Sequence, residues 1–257
     1  MNKTVLITGA SSGIGYELAK IMGKEGYNLV LTARRKDKLN KLKKEIEKEN
    51  DVSVLVIAQD LTEEGGAQKI FNICKTKKVR VDVLINNAGF GHSGRFLESD
   101  LDKNISMIKL NIVALTQLTK IFLSDIISSN AGKIMNVASV AAFFPGPLMS
   151  VYYATKAYVL SFSEALRAEL KGIGVSVTTL CPGVTKSGFQ KVAYMMSVEE
   201  KYGKGMHTAE YVARFGYEMM LKGRGVVIPG FKNKLYIFAS RFLPSNKLAE
   251  IIYKKHS

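Results

Sequence analysis

The fold of this chain follows from one stretch, Thr4-Val5-Leu6-Ile7-Thr8-Gly9-Ala10-Ser11-Ser12-Gly13-Ile14-Gly15. Residues 4–8 form a short apolar run that is typical of a buried strand, and the glycine and serine cluster at 9–13 ends it. Apolar side chains then recur at helical spacing over residues 14–25. A strand, a glycine turn and a helix in this order are typical of the start of a βαβ unit.

The alternation of strand and helix continues along the chain. Apolar runs at 29–31, 52–58, 81–85, 134–137, 174–180 and 225–228 predict strands, and helices are predicted over 36–49, 63–76, 101–128, 151–171 and 208–222. Unbroken apolar strands that are each followed by a helix indicate a parallel sheet covered on both faces. We therefore predict an α/β fold, a doubly wound Rossmann-like sheet in three α/β/α layers, with ligand sites at the carboxyl ends of its strands.

Composition supports one folded domain over residues 1–257. The hydrophobic fraction of 47% supplies a large core and argues against disorder. Two cysteines, Cys74 and Cys181, are too few for a disulfide framework and fit a reducing cytoplasm. We identify no apolar run of the roughly 20 residues that a membrane helix needs and no signal peptide. We therefore expect a cytoplasmic protein.

The chain carries a net charge of +15, which favours anionic ligands or surfaces without identifying one. Its basic residues are spread over several predicted helices, without interleaved aromatic residues that would stack on bases. We therefore do not expect nucleic-acid binding. Solubility and attraction of an anionic cofactor account for the charge more simply.

The glycines of the first turn have the spacing G-x3-G-x-G, from Gly9 to Gly15. Glycines let the backbone turn tightly and approach a phosphate, while the free N–H groups at the helix start face the anion. A plain structural turn would explain the cluster equally well if it stood alone. Its place after the first strand of an alternating chain favours dinucleotide binding.

The end of the second predicted strand indicates which dinucleotide binds. An acidic residue there would bind the ribose hydroxyls of NAD, but this chain has Arg34 and Arg35. A guanidinium makes bidentate hydrogen bonds to phosphate, so NADP is favoured over NAD. The alternative is that Arg34 is only a solvated surface residue.

Tyr152 and Lys156 are four residues apart on the helix predicted over 151–171, so both side chains lie on one face. A free tyrosine has a pKa near 10, and a nearby ammonium group lowers it. Such pairs are also common by chance. Ser139 ends the fifth predicted strand, so the sheet edge would bring its hydroxyl beside the tyrosine. Asn111 interrupts an apolar helix, where a buried amide needs partners; the alternative is a purely structural hydrogen bond.

These features together resemble the short-chain dehydrogenase/reductase family, in its form of about 250 residues. The resemblance runs in order from residue 4 to about residue 190 at compatible spacings. It is carried by the glycine turn Thr8-Gly9-x3-Gly13-x-Gly15, Asp60-Leu61, Asn86-Asn87-Ala88-Gly89, Asn111, Ser139, Tyr152-x3-Lys156 and Pro182-Gly183.

The resemblance implies an NAD(P)-dependent oxidoreductase that transfers hydride between a nicotinamide and a carbonyl or secondary alcohol. It makes Tyr152 the general acid/base and Ser139 the group that polarises the substrate oxygen. Lys156 would lower the pKa of the tyrosine and hold the nicotinamide ribose, and Asn111 would anchor a water in a proton relay. Tyr153 stands beside the proposed acid, but its spacing to Lys156 is three and the motif selects Tyr152.

The resemblance also implies the cofactor contacts. NADP binding would depend mainly on Arg34, helped by Arg35 and Ser11, because Ser12 occupies the position where some NADP-using members carry a basic residue. No metal is expected, since His92, His207 and His256 show no ligand spacing. The cofactor-binding residues implied are Gly9, Ser11, Ser12, Gly13, Ile14, Gly15, Arg34, Asp60, Leu61, Asn87, Ala88, Gly89, Tyr152, Lys156, Pro182, Gly183, Val184 and Thr185.

Apolar segments after the catalytic strands suggest a hydrophobic substrate, such as an acyl, steroid or aliphatic ketone. Family members cover the substrate with a lid, which corresponds to residues 186–205 here. The alternative is that these apolar residues only pack the lid onto the core. The candidate substrate-binding residues are Ser139, Tyr152, Phe90, Ala141, Phe144 and Phe189.

Residues 231–257 form a C-terminal extension that mixes apolar and basic residues, with Pro244-Ser245 separating two short predicted helices. We expect this extension to pack on its own chain or at a subunit interface. A basic amphipathic segment can also lie on an anionic membrane, which is the less favoured alternative.

Family members are often homodimers or homotetramers built through the helices at 101–128 and 151–171, so oligomerisation is expected here. The main alternative function is a dinucleotide-binding sensor or scaffold without catalysis. The complete set of Asn111, Ser139, Tyr152 and Lys156 argues against it. A sugar-nucleotide epimerase of the longer related type fits poorly, because it would need a separate substrate domain.

Overall fold

The computed structural model describes residues 2–129, 131–186 and 206–256, and it confirms the alternation of strands and helices. The strands are β1 (Thr4–Thr8), β2 (Asn28–Ala33), β3 (Val54–Ala58), β4 (Val83–Asn86), β5 (Lys133–Val137), β6 (Ser176–Leu180), β7 (Thr185–Lys186), β8 (His207–Thr208) and β9 (Val226–Val227). The helices are α1 (Gly13–Lys24), α2 (Lys36–Glu49), α3 (Gly66–Thr76), α4 (Leu101–Ile108), α5 (Leu115–Ile127), α6 (Ser150–Glu169), α7 (Ala209–Leu221), α8 (Phe231–Ser240) and α9 (Ser245–His256).

Seven strands form one parallel sheet in the order β3-β2-β1-β4-β5-β6-β9. In its centre Ile7 pairs with Leu31 on one side and with Ile85 on the other. The chain runs outward from β1 to β3 and then returns to continue from β4 on the other side. This reversal between β1 and β4 is the switch point where doubly wound folds open a crevice for ligands.

Three predicted strands begin two residues later than the sequence pattern suggested, at Val54, Val83 and Ser176. The apolar residues just before two of these strands, Val81 and Val175, are apolar for a different reason. Val81 is fully buried and Val175 is 9% exposed, yet both lie in the connections that lead into their strands. Burial rather than strand pairing therefore selects these side chains.

Helices cover both faces of the sheet. On one face α1, α2 and α7 bury apolar side chains such as Leu18, Leu42 and Val212. On the other face α3, α5 and α6 contribute side chains such as Ile70 and Phe122. Each face thus carries its own hydrophobic cluster, as three α/β/α layers require.

The long helix predicted over 101–128 has an interruption. A π-helical turn, Lys109–Ala114, joins α4 to α5, and Asn111 lies within it. By length and composition alone the segment Leu101–Ile127 is long and apolar enough to cross a membrane, although charged residues such as Lys109 and Lys120 interrupt it. In the structure this segment packs as a core helix, with Met107, Leu118 and Phe122 almost fully buried.

The C-terminal extension forms the two predicted helices, α8 and α9, on either side of Pro244. Ile237, Leu248 and Ile252 of these helices are buried in a cluster with Phe144. The expected packing of the extension on its own chain is therefore observed.

The strands β7 and β8 pair in parallel and flank the segment between them. Residues 187–205 of the predicted lid, including Phe189, lie outside the described residues.

Candidate active site

The glycine turn after β1 packs directly against the end of β4. The side-chain amide Nδ2 of Asn87 donates hydrogen bonds to the carbonyl oxygens of Thr8 at 2.8 Å and Gly9 at 3.3 Å. In return Thr8 Oγ1 accepts the backbone N–H groups of Asn87 at 3.0 Å and Ala88 at 2.9 Å. Thr8 therefore ties the two strand ends together. The sequence motif includes Thr8 only as the first residue of the glycine turn, and these contacts give it a structural role.

The glycines are required at this contact. A Cβ atom on Gly9 would lie 2.8 Å from Asn87 Nδ2 and 2.9 Å from the Cα of Ala88, and Gly9 has a φ of +68°. A Cβ atom on Gly15 would overlap Asn87 and lie 2.7 Å from the carbonyl oxygen of Gly9. The bare backbone leaves the start of α1 open to a pyrophosphate, so the turn fits the dinucleotide that the sequence implied.

Arg35 lies over this turn. Its guanidinium donates hydrogen bonds to Ser11 Oγ at 2.8 Å and to Ser12 Oγ at 2.9 Å. Arg34 is mostly exposed and forms a 3.8 Å ion pair with Asp60. From the sequence, NADP binding is predicted to depend mainly on Arg34. The structure instead brings the guanidinium of Arg35 into contact with Ser11 and Ser12.

Tyr152 lies near the start of α6 and is 9% exposed. Its side chain is hydrogen-bonded to that of Ser139, which follows β5. Ser139 Oγ also accepts the N–H of Ala141 at 3.1 Å and lies 3.4 Å from the carbonyl oxygen of Pro182. These contacts fix the serine hydroxyl beside the phenol, as the predicted juxtaposition requires.

Lys156 is 5% exposed, and its Nζ donates a 2.9 Å hydrogen bond to the carbonyl oxygen of Val137. The same atom lies 5.8 Å from the centre of the Tyr152 ring. Burial lowers the pKa of Lys156 to about 8, and the nearby Cys181 opposes this shift. The amine therefore titrates close to neutral pH.

Burial raises the pKa of Tyr152 to about 12, while its hydrogen bond with Ser139 lowers it. From the sequence, Lys156 is predicted to hold the pKa of Tyr152 below its usual value. In the structure desolvation of the phenol is the larger effect, because the ring is enclosed by apolar side chains. Tyr152 is therefore protonated at neutral pH, which is the form that a general acid needs.

Asn111 is 1% exposed and uses its amide fully. Its Oδ1 accepts the N–H of Phe90 at 3.1 Å, and its Nδ2 donates to the carbonyl oxygen of Phe90 and to Thr155 Oγ1, both at 3.0 Å. Thr155 Oγ1 in turn donates to the carbonyl oxygen of Tyr152 at 2.7 Å. The π-helical turn thus connects the segment after β4 to α6, the helix that carries Tyr152 and Lys156.

Thr155 was missed by sequence reasoning. Its position three residues after Tyr152 and directly before Lys156, on the buried side of the helix, was the available signal. Gly89 occupies the space between the predicted catalytic groups: a Cβ atom there would lie 3.0 Å from Asn111 Oδ1 and 3.4 Å from Lys156 Nζ.

The surroundings of Tyr152 are apolar. Met107, Ala141 and Met149 form a buried cluster with it, and Phe90 packs against this cluster. Phe144 is placed differently: its ring lies 5.0 Å from that of Tyr236 in α8, in the contact with the C-terminal extension. Of the predicted substrate-binding residues, Phe90 and Ala141 therefore adjoin the phenol, whereas Phe144 contacts the extension.

The remaining cofactor candidates line the same edge of the sheet. The carbonyl oxygen of Pro182 accepts the N–H of Val140 at 2.9 Å, and Thr185 Oγ1 donates to the carbonyl oxygen of Gly183 at 2.9 Å. Leu61 is 8% exposed and belongs to the core. Ile14, Gly13 and Val184 are partly exposed. Within the described ranges 2–129, 131–186 and 206–256, no group of His, Cys, Asp or Glu could hold a metal ion.

This arrangement defines a class of protein, a Rossmann-type binder of a nicotinamide dinucleotide with a Ser–Tyr–Lys site. The family model for short chain dehydrogenases matches residues 3–196. The chain belongs to the short-chain dehydrogenase family, as its motifs predicted.

Two curated relatives show the similarity in sequence. A sulfoacetaldehyde reductase of Chromohalobacter salexigens is 36% identical over 194 residues, which cover 75% of this chain and 76% of the relative. A very-long-chain 3-oxoacyl-CoA reductase of Anas platyrhynchos is 33% identical over 194 residues, which cover 73% of this chain and 61% of the relative. The chain thus spans about three fifths of the length of this and several other curated relatives.

A solved structure shows the similarity in fold. A short-chain dehydrogenase from Sphingobium yanoikuyae, in complex with NADPH, superimposes with a TM-score of 0.83. The two proteins are 31% identical, and the match covers 93% of each chain.

We predict that the buried amine of Lys156 makes the stability of the protein depend on pH. Because its pKa is about 8 in the folded state and about 10.5 when exposed, the unfolded chain binds more protons between these values. Folding stability should therefore rise with pH above about 8. Denaturant unfolding at pH 7.5 and at pH 9 measures the effect. The free energy of unfolding should increase more between these two pH values in the wild type than in Lys156→Met. The exposed Lys171→Met serves as control and should behave as the wild type. An equal gain in Lys156→Met and wild type would contradict this prediction.

Proposed function

We propose that this protein is an NADPH-dependent reductase of apolar carbonyl compounds that also oxidises the corresponding secondary alcohols. The observation that carries the proposal is the hydrogen bond between the buried Tyr152 phenol and Ser139, with the Lys156 amine close by. This combination holds and protonates a carbonyl oxygen. Family membership supports the reaction class.

The glycine turn would hold the pyrophosphate of a nicotinamide dinucleotide, and the hydride would come from that cofactor when it is bound. The side chains of this chain perform the remaining steps. Ser139 and Tyr152 donate hydrogen bonds to the carbonyl oxygen and orient it. Tyr152 then transfers its proton to that oxygen as the alcohol forms. The Lys156 ammonium stabilises the resulting phenolate, and its pKa of about 8 suits it to return a proton near neutral pH.

The preference for NADPH is supported by the charges at the adenosine end of the groove. Arg35 contacts Ser11 and Ser12, and Arg34 lies beside Asp60. Two guanidinium groups and two hydroxyls at this position suit a 2′-phosphate, whereas NAD carries a ribose hydroxyl there. The solved relative in complex with NADPH is consistent with this preference.

The preference for apolar carbonyl compounds is supported by the side chains around Tyr152. Met107, Ala141, Met149 and Phe90 surround the phenol and offer little hydrogen bonding to a polar substrate. A hydrophobic acyl or ketone substrate matches this surface. The 3-oxoacyl-CoA reductase relative acts on such a compound by its name.

The test is NADPH or NADH oxidation by the wild type and by an Arg34→Ala/Arg35→Ala variant, against long-chain ketones, a steroid ketone and small polar aldehydes. We expect turnover of the apolar ketones with NADPH. The double variant should raise the KM for NADPH about 100-fold and change that for NADH little, because two charge-assisted contacts to the phosphate are lost. Equal use of both cofactors would contradict the NADP assignment, and turnover of only the polar aldehydes would contradict the substrate class.

We also propose a reducing setting such as the cytoplasm, since Cys74 and Cys181 are free and buried. A homodimer or homotetramer built through α4, α5 and α6 is supported by exposed apolar side chains on them. Ile105 on α4, Ile127 on α5 and Tyr158 on α6 are 41%, 37% and 37% exposed, respectively.

A further inference from the structure

Helix α8 exposes a continuous apolar stripe. Phe231, Leu235, Phe238 and Phe242 follow one another at intervals of four, three and four residues, and they are 78%, 55%, 58% and 73% exposed. This spacing puts them on one side of a helix. The rings of Phe238 and Phe242 meet edge to face at 5.3 Å, so the stripe continues just past the end of α8.

The opposite side of α8 is held by the rest of the chain. Ile237 is 4% exposed and Ser240 is 8% exposed. Tyr236 packs edge to face on Phe144 at 5.0 Å, and α9 adds buried Leu248 and Ile252 to the same cluster. The helix is therefore anchored on one side, while its exposed side carries large aromatic groups that the fold does not need for its own core.

Basic residues border the stripe. At 3.6 residues per turn, Lys234 and Arg241 lie along one edge and Lys232 along the other. All three are exposed. Within residues 231–257 Glu250 is the single acidic residue in the sequence. Apolar side chains flanked by long basic side chains match the boundary between lipid acyl chains and anionic headgroups.

We propose that the α8 stripe docks this protein on the surface of an anionic lipid membrane. Charge complementarity selects this occupant over a second copy of the chain. A symmetric pairing of two stripes would bring the basic edges of both copies together, in a protein that already carries a net charge of +15. Anionic headgroups neutralise the same edges, and the bilayer takes up the aromatic side chains.

The docking surface adjoins the catalytic edge of the sheet. A connection of three residues, 228–230, joins β9 to helix α8. The helix also contacts the segment after β6, because a Cβ atom on Gly183 would lie 2.6 Å from the side-chain amide of Asn233. Tyr236 contacts Phe144, which follows the turn after Ser139. Docking therefore brings the carboxyl edge of the sheet to the membrane. This placement gives an apolar carbonyl compound dissolved in the bilayer a short path to Tyr152, a statement that rests on the proposed function.

The experiment is co-sedimentation of the full chain with vesicles of phosphatidylcholine alone or mixed with phosphatidylglycerol. We expect binding to the anionic vesicles that weakens as salt is added, and little binding to the neutral ones. Phe238→Glu/Phe242→Glu and, separately, Lys234→Glu/Arg241→Glu should each lower the partition coefficient about tenfold or more. Lys171→Glu/Ile173→Ser, at exposed positions after α6 and outside the extension, should bind as the wild type does.

Three results would overturn the docking proposal. The wild type does not bind anionic vesicles, or both α8 variants bind them as well as the wild type does. The third is that the Lys171→Glu/Ile173→Ser control loses as much vesicle binding as the α8 variants. Light scattering in the absence of lipid measures the oligomeric state and so tests whether a second copy of the chain covers the stripe. A change of oligomeric state in the α8 variants, with unchanged vesicle binding, would assign the stripe to a subunit interface instead. Turnover of a water-soluble ketone should be the same in the α8 variants and the wild type.

If no carbonyl compound is reduced, the proposed function fails while the vesicle result still stands.

Discussion

Tyr152→Phe is expected to lower turnover of a carbonyl substrate about a thousandfold and to leave NADPH affinity and Tm close to those of the wild type. The variant keeps the ring that packs with Met107, Ala141 and Met149, and it removes the hydroxyl hydrogen-bonded to Ser139. Proton transfer by a positioned general acid contributes roughly 10²–10⁴ in rate. Steady-state NADPH oxidation and fluorescence titration of NADPH measure the two quantities.

The matched control is Tyr153→Phe, which removes a hydroxyl from the neighbouring residue. Tyr153 lies at the wrong spacing from Lys156, and its ring packs against Gly146 and edge to face on Tyr152 at 6.1 Å. Its removal should change turnover little. Comparable losses in both variants, or retained turnover in Tyr152→Phe, would show that the phenol of Tyr152 does not deliver the proton.

Asn111→Leu is expected to reduce both stability and activity. Leucine has a similar size but cannot pair with the N–H and carbonyl of Phe90 or with Thr155 Oγ1. Leaving buried polar groups without partners should cost about 3 kcal/mol of unfolding free energy. In a domain of this size that lowers Tm by roughly 5–10 °C. Turnover should fall about 100-fold, because the segment after β4 loses its attachment to the catalytic helix. Thermal unfolding and steady-state kinetics measure both effects.

Thr155 supplies the graded comparison for Asn111. Thr155→Val keeps the shape but removes the hydroxyl that links Asn111 Nδ2 to the carbonyl oxygen of Tyr152. It should produce a smaller loss of Tm and turnover than Asn111→Leu, and Thr155→Ser should restore most of both. If Asn111→Leu lowers Tm without lowering turnover, the amide has a structural role alone.

The site combines two features that burial imposes together. The enclosure that keeps Tyr152 protonated, with a pKa of about 12, also lowers the pKa of Lys156 to about 8. A buried amine disfavours folding at neutral pH, since its charged form is poorly solvated. The same amine is suited to exchange protons at that pH. The site therefore uses an arrangement that is unfavourable for stability.

Order along the chain was enough to predict the parallel sheet, the glycine turn and the approach of Ser139 to Tyr152. Buried parallel strands need continuous apolar runs, and this need appears in the sequence at Thr4–Thr8 as clearly as in the structure. The carboxyl ends of parallel strands share one edge, so topology predicts that Ser139 lies beside Tyr152 and Lys156 there. Local pattern and topology carry this information.

Packing between distant elements decided the rest. Arg35 rather than Arg34 contacts Ser11 and Ser12, because the turn after β2 aims one of two adjacent guanidinium groups at the glycine turn. Phe144 contacts Tyr236, some ninety positions further along, and no local pattern records such a contact. The raised pKa of Tyr152 likewise depends on the side chains that enclose it. These properties arise from the surroundings that the folded chain builds around each group, and neighbours in sequence supply only part of those surroundings.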